Sequence, residues 1–339
     1  MNEWRTWLQE LCAADATGRV SAAADLAAGI LSRYVPVERQ NGLTMWGVLP
    51  GDSDYTILLD AHMDQVAMVV TAIDDEGFLT VAKAGGLDLR ALPARPVTVH
   101  GKKPVPAVFC STPPHLAGKE AVYDDLSILK VDAGLGAAAR EWISPGDMVT
   151  FTAPPVLLAG NRLCARSLDD RAGVVCLLEV ARRLSARKKR PATVCFLFSD
   201  AEELGMRGVR PAAFTLSPQE AVAVDVTFGN GPGLSPEETG RLGAGPMVGF
   251  SPALDKTLSD RLMTLAEQEN IPVQPEVMGA TTGTNADMIA VSRGGVKTVT
   301  LSIPLRGMHT ETEIVDLSDI EATCDLLEAY VLSGGADHA

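Results

Sequence analysis

Between residues 66 and 159 the chain loses helical periodicity and becomes a series of short alternating runs. Val66–Ile73, Phe78–Ala82, Pro96–Val99, Val105–Phe109 and Met148–Thr152 are each strand length, separated by Gly, Pro, Asp and Asn. That texture specifies a small antiparallel barrel or sandwich. On either side the pattern differs. The stretch to about Tyr34 places Leu8, Leu11, Leu26, Ile30 and Leu31 at helical spacing. Leu43–Leu49 is a strand candidate stopped by Pro50-Gly51, and Tyr55–Leu59 is apolar enough for a strand buried on both faces. After Asn161, helices at Arg171–Leu184, Asp255–Glu269 and Asp319–Leu332 alternate with strands at Thr193–Phe198, Glu220–Val226 and Lys297–Ile303. The whole predicts an α/β fold, a mixed sheet covered by helices. Residues 1–65 and 160–339 would form that unit, with 66–159 as an all-β insertion, a barrel or a sandwich.

Composition narrows the function classes. A hydrophobic content of 46% with 21% charged residues is that of a packed chain. A formal net charge of -14 argues against nucleic acid and anionic membranes as partners. The longest apolar runs are far short of the roughly 20 residues a membrane span needs. The opening Met-Asn-Glu-Trp-Arg does not read as a signal peptide. Six cysteines occur without a C-x-x-C pair, as expected of free thiols in a reducing cytoplasm.

Polar residues gather at the predicted C-terminal ends of buried strands, where open α/β sheets place their sites. His62 and Asp64 follow one strand, Glu202 and Glu203 another. Asp225 ends a third and His309 follows a fourth, while Asp169 and Asp170 precede a helix. Two histidines and at least five carboxylates exceed what one metal needs. Two dications would be neutralised by three ligating carboxylates and an ionised catalytic glutamate.

The segments AHMD (61–64), SLDDR (167–171), DAEELGMRG (200–208), AVDV (223–226) and SIPLRGMHT (302–310) resemble those of the tetrahedral, dinuclear-metal aminopeptidases of metallopeptidase family 42. The likeness runs in order from about Leu58 to Asp319 and includes STPPH (111–115), Asp132-Ala133-Gly134 and Ser144-Pro145-Gly146-Asp147. It implies a zinc-peptidase-like phosphorylase/hydrolase fold and two divalent ions per subunit, zinc, cobalt or manganese. By position, His62 and Asp225 would hold one ion, Glu203 and His309 the other, and Asp169 would bridge them. Asp64 would orient His62. Glu202 would be the general base acting on a water bridging the metals. The Asp169–Asp170 peptide would be cis. Thr282 and Gly283, in a loop like the one lining the first substrate pocket, and Arg306 would contact substrate. Short peptides would be the substrates. The barrel would pair subunits, and dimers would assemble into a dodecamer. The polar segment 117–126 would be a mobile loop near the partner's site, and His115 a loop histidine.

Several positions depart from the family pattern. Gln65, Val66 and Ala67 replace Glu-Ile-Gly, Gly307 replaces a tyrosine, and Asn285 stands where aspartate is common. Asn41–Trp46 lacks the Asp-x-x-Gly-Asn segment. The same dinuclear core also serves deacylases and carboxypeptidases, and Gly307 leaves room for a catalytically degenerate oligomeric scaffold. A glycosidase using paired carboxylates would leave the histidines unexplained.

Overall fold

Aliphatic runs too apolar for a solvated surface become the interior of the main sheet. The computed structural model describes residues 3–335, apart from 41, 114, 117–125, 127 and 128. The expected loop at 117–126 therefore lies, except for Leu126, outside the described residues. Four parallel strands, Thr193–Ser199, Thr56–His62, Glu220–Phe228 and Lys297–Arg306, form the centre of an 11-stranded sheet. Antiparallel strands flank them, Met45–Leu49 on one side and Glu313–Asp316 on the other, so the sheet is mixed.

Helices cover both faces. Leu168–Ser185 is buried along nearly its whole length, packed on the sheet beneath Glu3–Ala13 and Leu317–Leu332. Val209–Leu216 and Ala286–Ala290 pack on the opposite face through Val209, Ala212, Ala286 and Ile289. The N-terminal helical stretch is two helices, Glu3–Ala13 and Ala22–Leu31. The intervening Gly18 adopts a positive φ that a continuing helix could not hold. Asp255 and Asp316 cap the helices that follow them by accepting backbone N–H groups.

The inserted region closes into a six-stranded antiparallel barrel built from Ala67–Ile73, Leu79–Ala84, Val131–Asp132, Pro104–Phe109, Pro96–His100 and Met148–Phe151. Val70, Val97, Val99, Phe109 and Val149 fill it, as strand alternation requires. Val156–Leu158 already belongs to the large sheet, paired with Arg162–Ala165. No helix among the described residues is long and apolar enough to cross a membrane.

Strand register determines where the polar ends meet. Ser199 pairs with His62 across parallel strands. Ala223 pairs with Asp60, so Asp225 and His62 come two residues later on neighbouring strands. Parallel strands point their C-termini the same way, so side chains far apart in sequence emerge along one edge.

Candidate active site

His62, the last residue of its strand, is buried, with Nε2 2.9 Å from Asp169 Oδ1 and 3.9 Å from Asp225 Oδ1. His309 turns the chain with a φ of 62° and places Nε2 3.3 Å from Asp169 Oδ2 and 3.4 Å from Glu203 Oε1. The carboxylate of Asp169 therefore stands between the two imidazoles, one oxygen toward each. The Asp169–Asp170 peptide is cis.

His62, Asp169 and Glu203 offer ligand atoms all within 4.8 Å of one another, as do His62, Asp170 and Asp225. Asp170 is otherwise engaged. One of its oxygens accepts the His62 N–H at 3.2 Å and the other the Gly173 N–H at 2.9 Å. It braces the strand end.

Asp64 does more than face His62, whose Nδ1 lies 3.4 Å away. Its two oxygens accept the amides of Glu202 at 3.0 Å and Glu203 at 3.3 Å, so it holds the Glu-Glu turn in place. Burial, opposed by the charge of His62 and reinforced by Glu203 and Asp169, raises Glu202 to about 7. Burial also raises Glu203 and Asp225 above the ordinary carboxylate range. Both histidines move up as well. Burial disfavours their cations, but the hydrogen bonds that Asp169 accepts from both, Asp64 from His62 and Glu203 from His309 prevail. The set is thus rich in negative charge enclosed in a poorly polarisable medium, an environment that attracts cations.

Two contributors escaped the sequence reading. Gly86, in the turn after a barrel strand, offers its carbonyl to His309 Nδ1 at 2.6 Å, which directs Nε2 toward the carboxylates. Buried Glu313 accepts the N–H of Asp169 at 3.2 Å and of His309 at 2.9 Å, tying both to one side chain. A glycine pair at 85–86 and an acid starting an otherwise apolar segment were the available signals.

The departures at 65, 285 and 307 each have a local reason. Gln65 accepts the Ala16 N–H while its amide donates to Asp15, which a carboxylate could not do. Asn285 likewise donates to Asp60 at 2.9 Å and Ser199 at 2.8 Å. Gly307 has a φ of 70°, and a Cβ there would lie 2.9 Å from the Thr312 carbonyl. The cluster opens into a cavity of about 940 Å³ that Thr282 and Gly283 also line. Arg306 lines the adjoining cavity of about 810 Å³ and is hydrogen bonded to Asn230. His115 is exposed in a turn.

Residues 44–326 match the family model described as M42 glutamyl aminopeptidase. The chain belongs to this family. It is therefore a metal-dependent aminopeptidase, a hydrolase of peptide bonds. A lysyl aminopeptidase from Pyrococcus furiosus is 32% identical over 284 residues, covering 81% of each chain. An aminopeptidase from Desulfurococcus kamchatkensis superposes with a TM-score of 0.91 at 27% identity, covering 98% of this chain and 95% of that one. The TET1 peptidase of Pyrococcus horikoshii, which can assemble into a tetrahedron or a large octahedral shell, gives 0.85 at 27% identity over 97% and 99%. For an M42 aminopeptidase, a mixed sheet carrying a closed barrel is the architecture these neighbours share with it.

Proposed function

We propose that this chain is a dinuclear aminopeptidase that removes N-terminal residues from short peptides. The observation that carries the reading is Asp169, whose two oxygens face different histidines. A carboxylate so placed can be shared by two cations, with His62 and Asp225 on one side and Glu203 and His309 on the other. Imidazole nitrogens and carboxylate oxygens suit zinc, cobalt or manganese. When bound, such a pair polarises a scissile carbonyl and lowers the pKa of water from about 15.7 to about 7.

The chain's own residues supply the remainder. Glu202 is the general base, taking a proton from the attacking water and returning it to the leaving amine. Asp64 is a positioning residue, fixing Glu202 and Glu203 through their amides. The neutral free amine of a peptide carries a lone pair that can bind at this centre, which favours attack at the first bond. Thr282 and Gly283 line the space that the first residue enters.

The division into a catalytic unit, expected at 1–65 and 160–339, and an inserted barrel, expected at 66–159, belongs to the same proposal. The barrel's last strand ends at Phe151, and Val156–Leu158 is already paired into the large sheet. The barrel pairs subunits, and dimers build a dodecamer, as the shells of the TET1 peptidase support. Light scattering on the purified protein checks the assembly. Glu202→Gln should lower kcat by about 10²–10⁴-fold with metal content unchanged, and His62→Ala should lose metal by elemental analysis. Parental turnover by Glu202→Gln would remove the base assignment.

A further inference from the structure

The catalytic cavity carries more negative charge than its proposed metal set uses. Seven carboxylates line it, and among the described residues no lysine or arginine does. Asp169, Glu202, Glu203 and Asp225 belong to the centre; Glu237, Glu238 and Glu276 do not. Glu237 and Glu238 are exposed. Glu276 is set deeper, on the strand Gln274–Val277, where its carboxylate accepts hydroxyl hydrogen bonds from Thr227 and, at 2.7 Å, from Ser302. Two donors leave about half of a carboxylate's roughly four acceptor sites open. Arg241 and Arg306 line the adjoining cavity instead, with Arg306 engaged by Asn230.

We propose that this cavity selects peptides whose N-terminal residue bears a long cationic side chain, lysine or arginine, anchored by Glu276. The inference rests on the aminopeptidase reading above. The reach is suitable. Ser302 pairs with Asp225 on the adjacent parallel strand, roughly 5 Å away, and Glu276 lies one hydrogen bond beyond Ser302. A lysine ammonium sits about 6 Å from its Cα, five bonds of about 1.5 Å in zigzag. An amine held at the metal centre and an ammonium at Glu276 can therefore belong to one residue. Phe228, Leu234 and Val277, exposed apolar residues lining the cavity, offer a surface for the methylene stem. Burial raises the Glu276 carboxyl, against the lowering by its two hydroxyl partners. A cation beside it would restore the ionised form. An acidic first residue would meet only like charge.

The test compares p-nitroanilides of lysine, arginine, norleucine and glutamate on the full-length, metal-loaded enzyme. Norleucine has nearly the stem of lysine without the charge. The kcat/KM for lysine should exceed that for norleucine by about tenfold or more, the worth of one charged hydrogen bond, with glutamate poorest. Glu276→Gln should reduce the lysine-to-norleucine ratio to about twofold or less. Norleucine matching lysine in the wild type, or a ratio unmoved by Glu276→Gln, overturns the proposal. The wild-type ratio decides even if the variant does not fold. Cleavage of norleucine without a lysine preference removes the specificity alone. Cleavage of no substrate with zinc, cobalt or manganese removes the aminopeptidase reading and this inference together.

Discussion

Gly86→Ala isolates the contribution of one backbone carbonyl to the site. Gly86 has no positive φ, so alanine meets no conformational penalty of its own. The added Cβ would lie 2.8 Å from His309 Nδ1 and 3.0 Å from Cε1, where ordinary contact begins at 3.4 Å. The ring must therefore retreat by about 0.6 Å, well over the roughly 0.2 Å that metal–ligand distances tolerate. Retreat also stretches the 2.6 Å hydrogen bond that aims Nε2. Losing such an orienting contact typically costs about 10–100-fold in metal affinity, or about 1.4–2.7 kcal/mol. Stability should fall by less than about 1.5 kcal/mol, because the ring is partly exposed and can move. Titration of stripped protein with zinc, followed by calorimetry, should show one of two binding events weakened. Gly279→Ala, with open space around the new carbon, is the control. Two undisturbed zinc sites in Gly86→Ala would refute the role given to this carbonyl.

Metal loading should release protons. In the metal-free chain both imidazoles are pushed upward by the carboxylates facing them, His309 to about 11, so His309 is charged at pH 7. Coordination requires the neutral ring, so loading should release at least about one proton per subunit, measurable by calorimetry in buffers of different ionisation enthalpy; release of none would contradict the ligand set. The same shifts give a sign for stability. The folded chain binds more protons than the unfolded one, so the metal-free protein should be most stable below about pH 6.5 and lose stability as pH rises toward 11. A Tm that climbs over that range would count against it. Glu313→Ala leaves the N–H groups of Asp169 and His309 without their acceptor and should cost about 2–5 kcal/mol in urea unfolding; a loss under about 1 kcal/mol would mean water replaces the carboxylate.

Much of the site was legible because its chemistry lies where periodicity changes. The Tyr55–Leu59, Thr193–Phe198 and Glu220–Val226 runs each turn polar abruptly, and an acid or histidine at such a break has few structural uses. The barrel was legible because short period-two runs broken by turn residues leave no room for a long helix, and Ala139–Trp142 is only one turn. Strand ends were less so. The strand predicted to stop at Ile303 continues to Arg306, and the one expected to end at Leu59 includes His62. Neighbouring strands prolong pairing past the point where local composition stops favouring it.

The order of residues alone determined which side chains could bind cations, since imidazole and carboxylate chemistry is a property of residue type. Register decided which of them meet. Parallel strands align His62 with Ser199 and carry Asp225 to the same edge, and Asp169 meets His62 and His309 there from the first turn of a helix. Gly86 acts through its carbonyl on a residue 223 positions away, and Glu313 reaches Asp169 across 144. Glu276 enters the cavity only because its strand lies beside Met247–Phe250, which in turn joins Lys297–Arg306. A backbone carbonyl has no residue-specific signature and a cross-strand hydrogen bond no local pattern, so these roles existed only once the chain had folded.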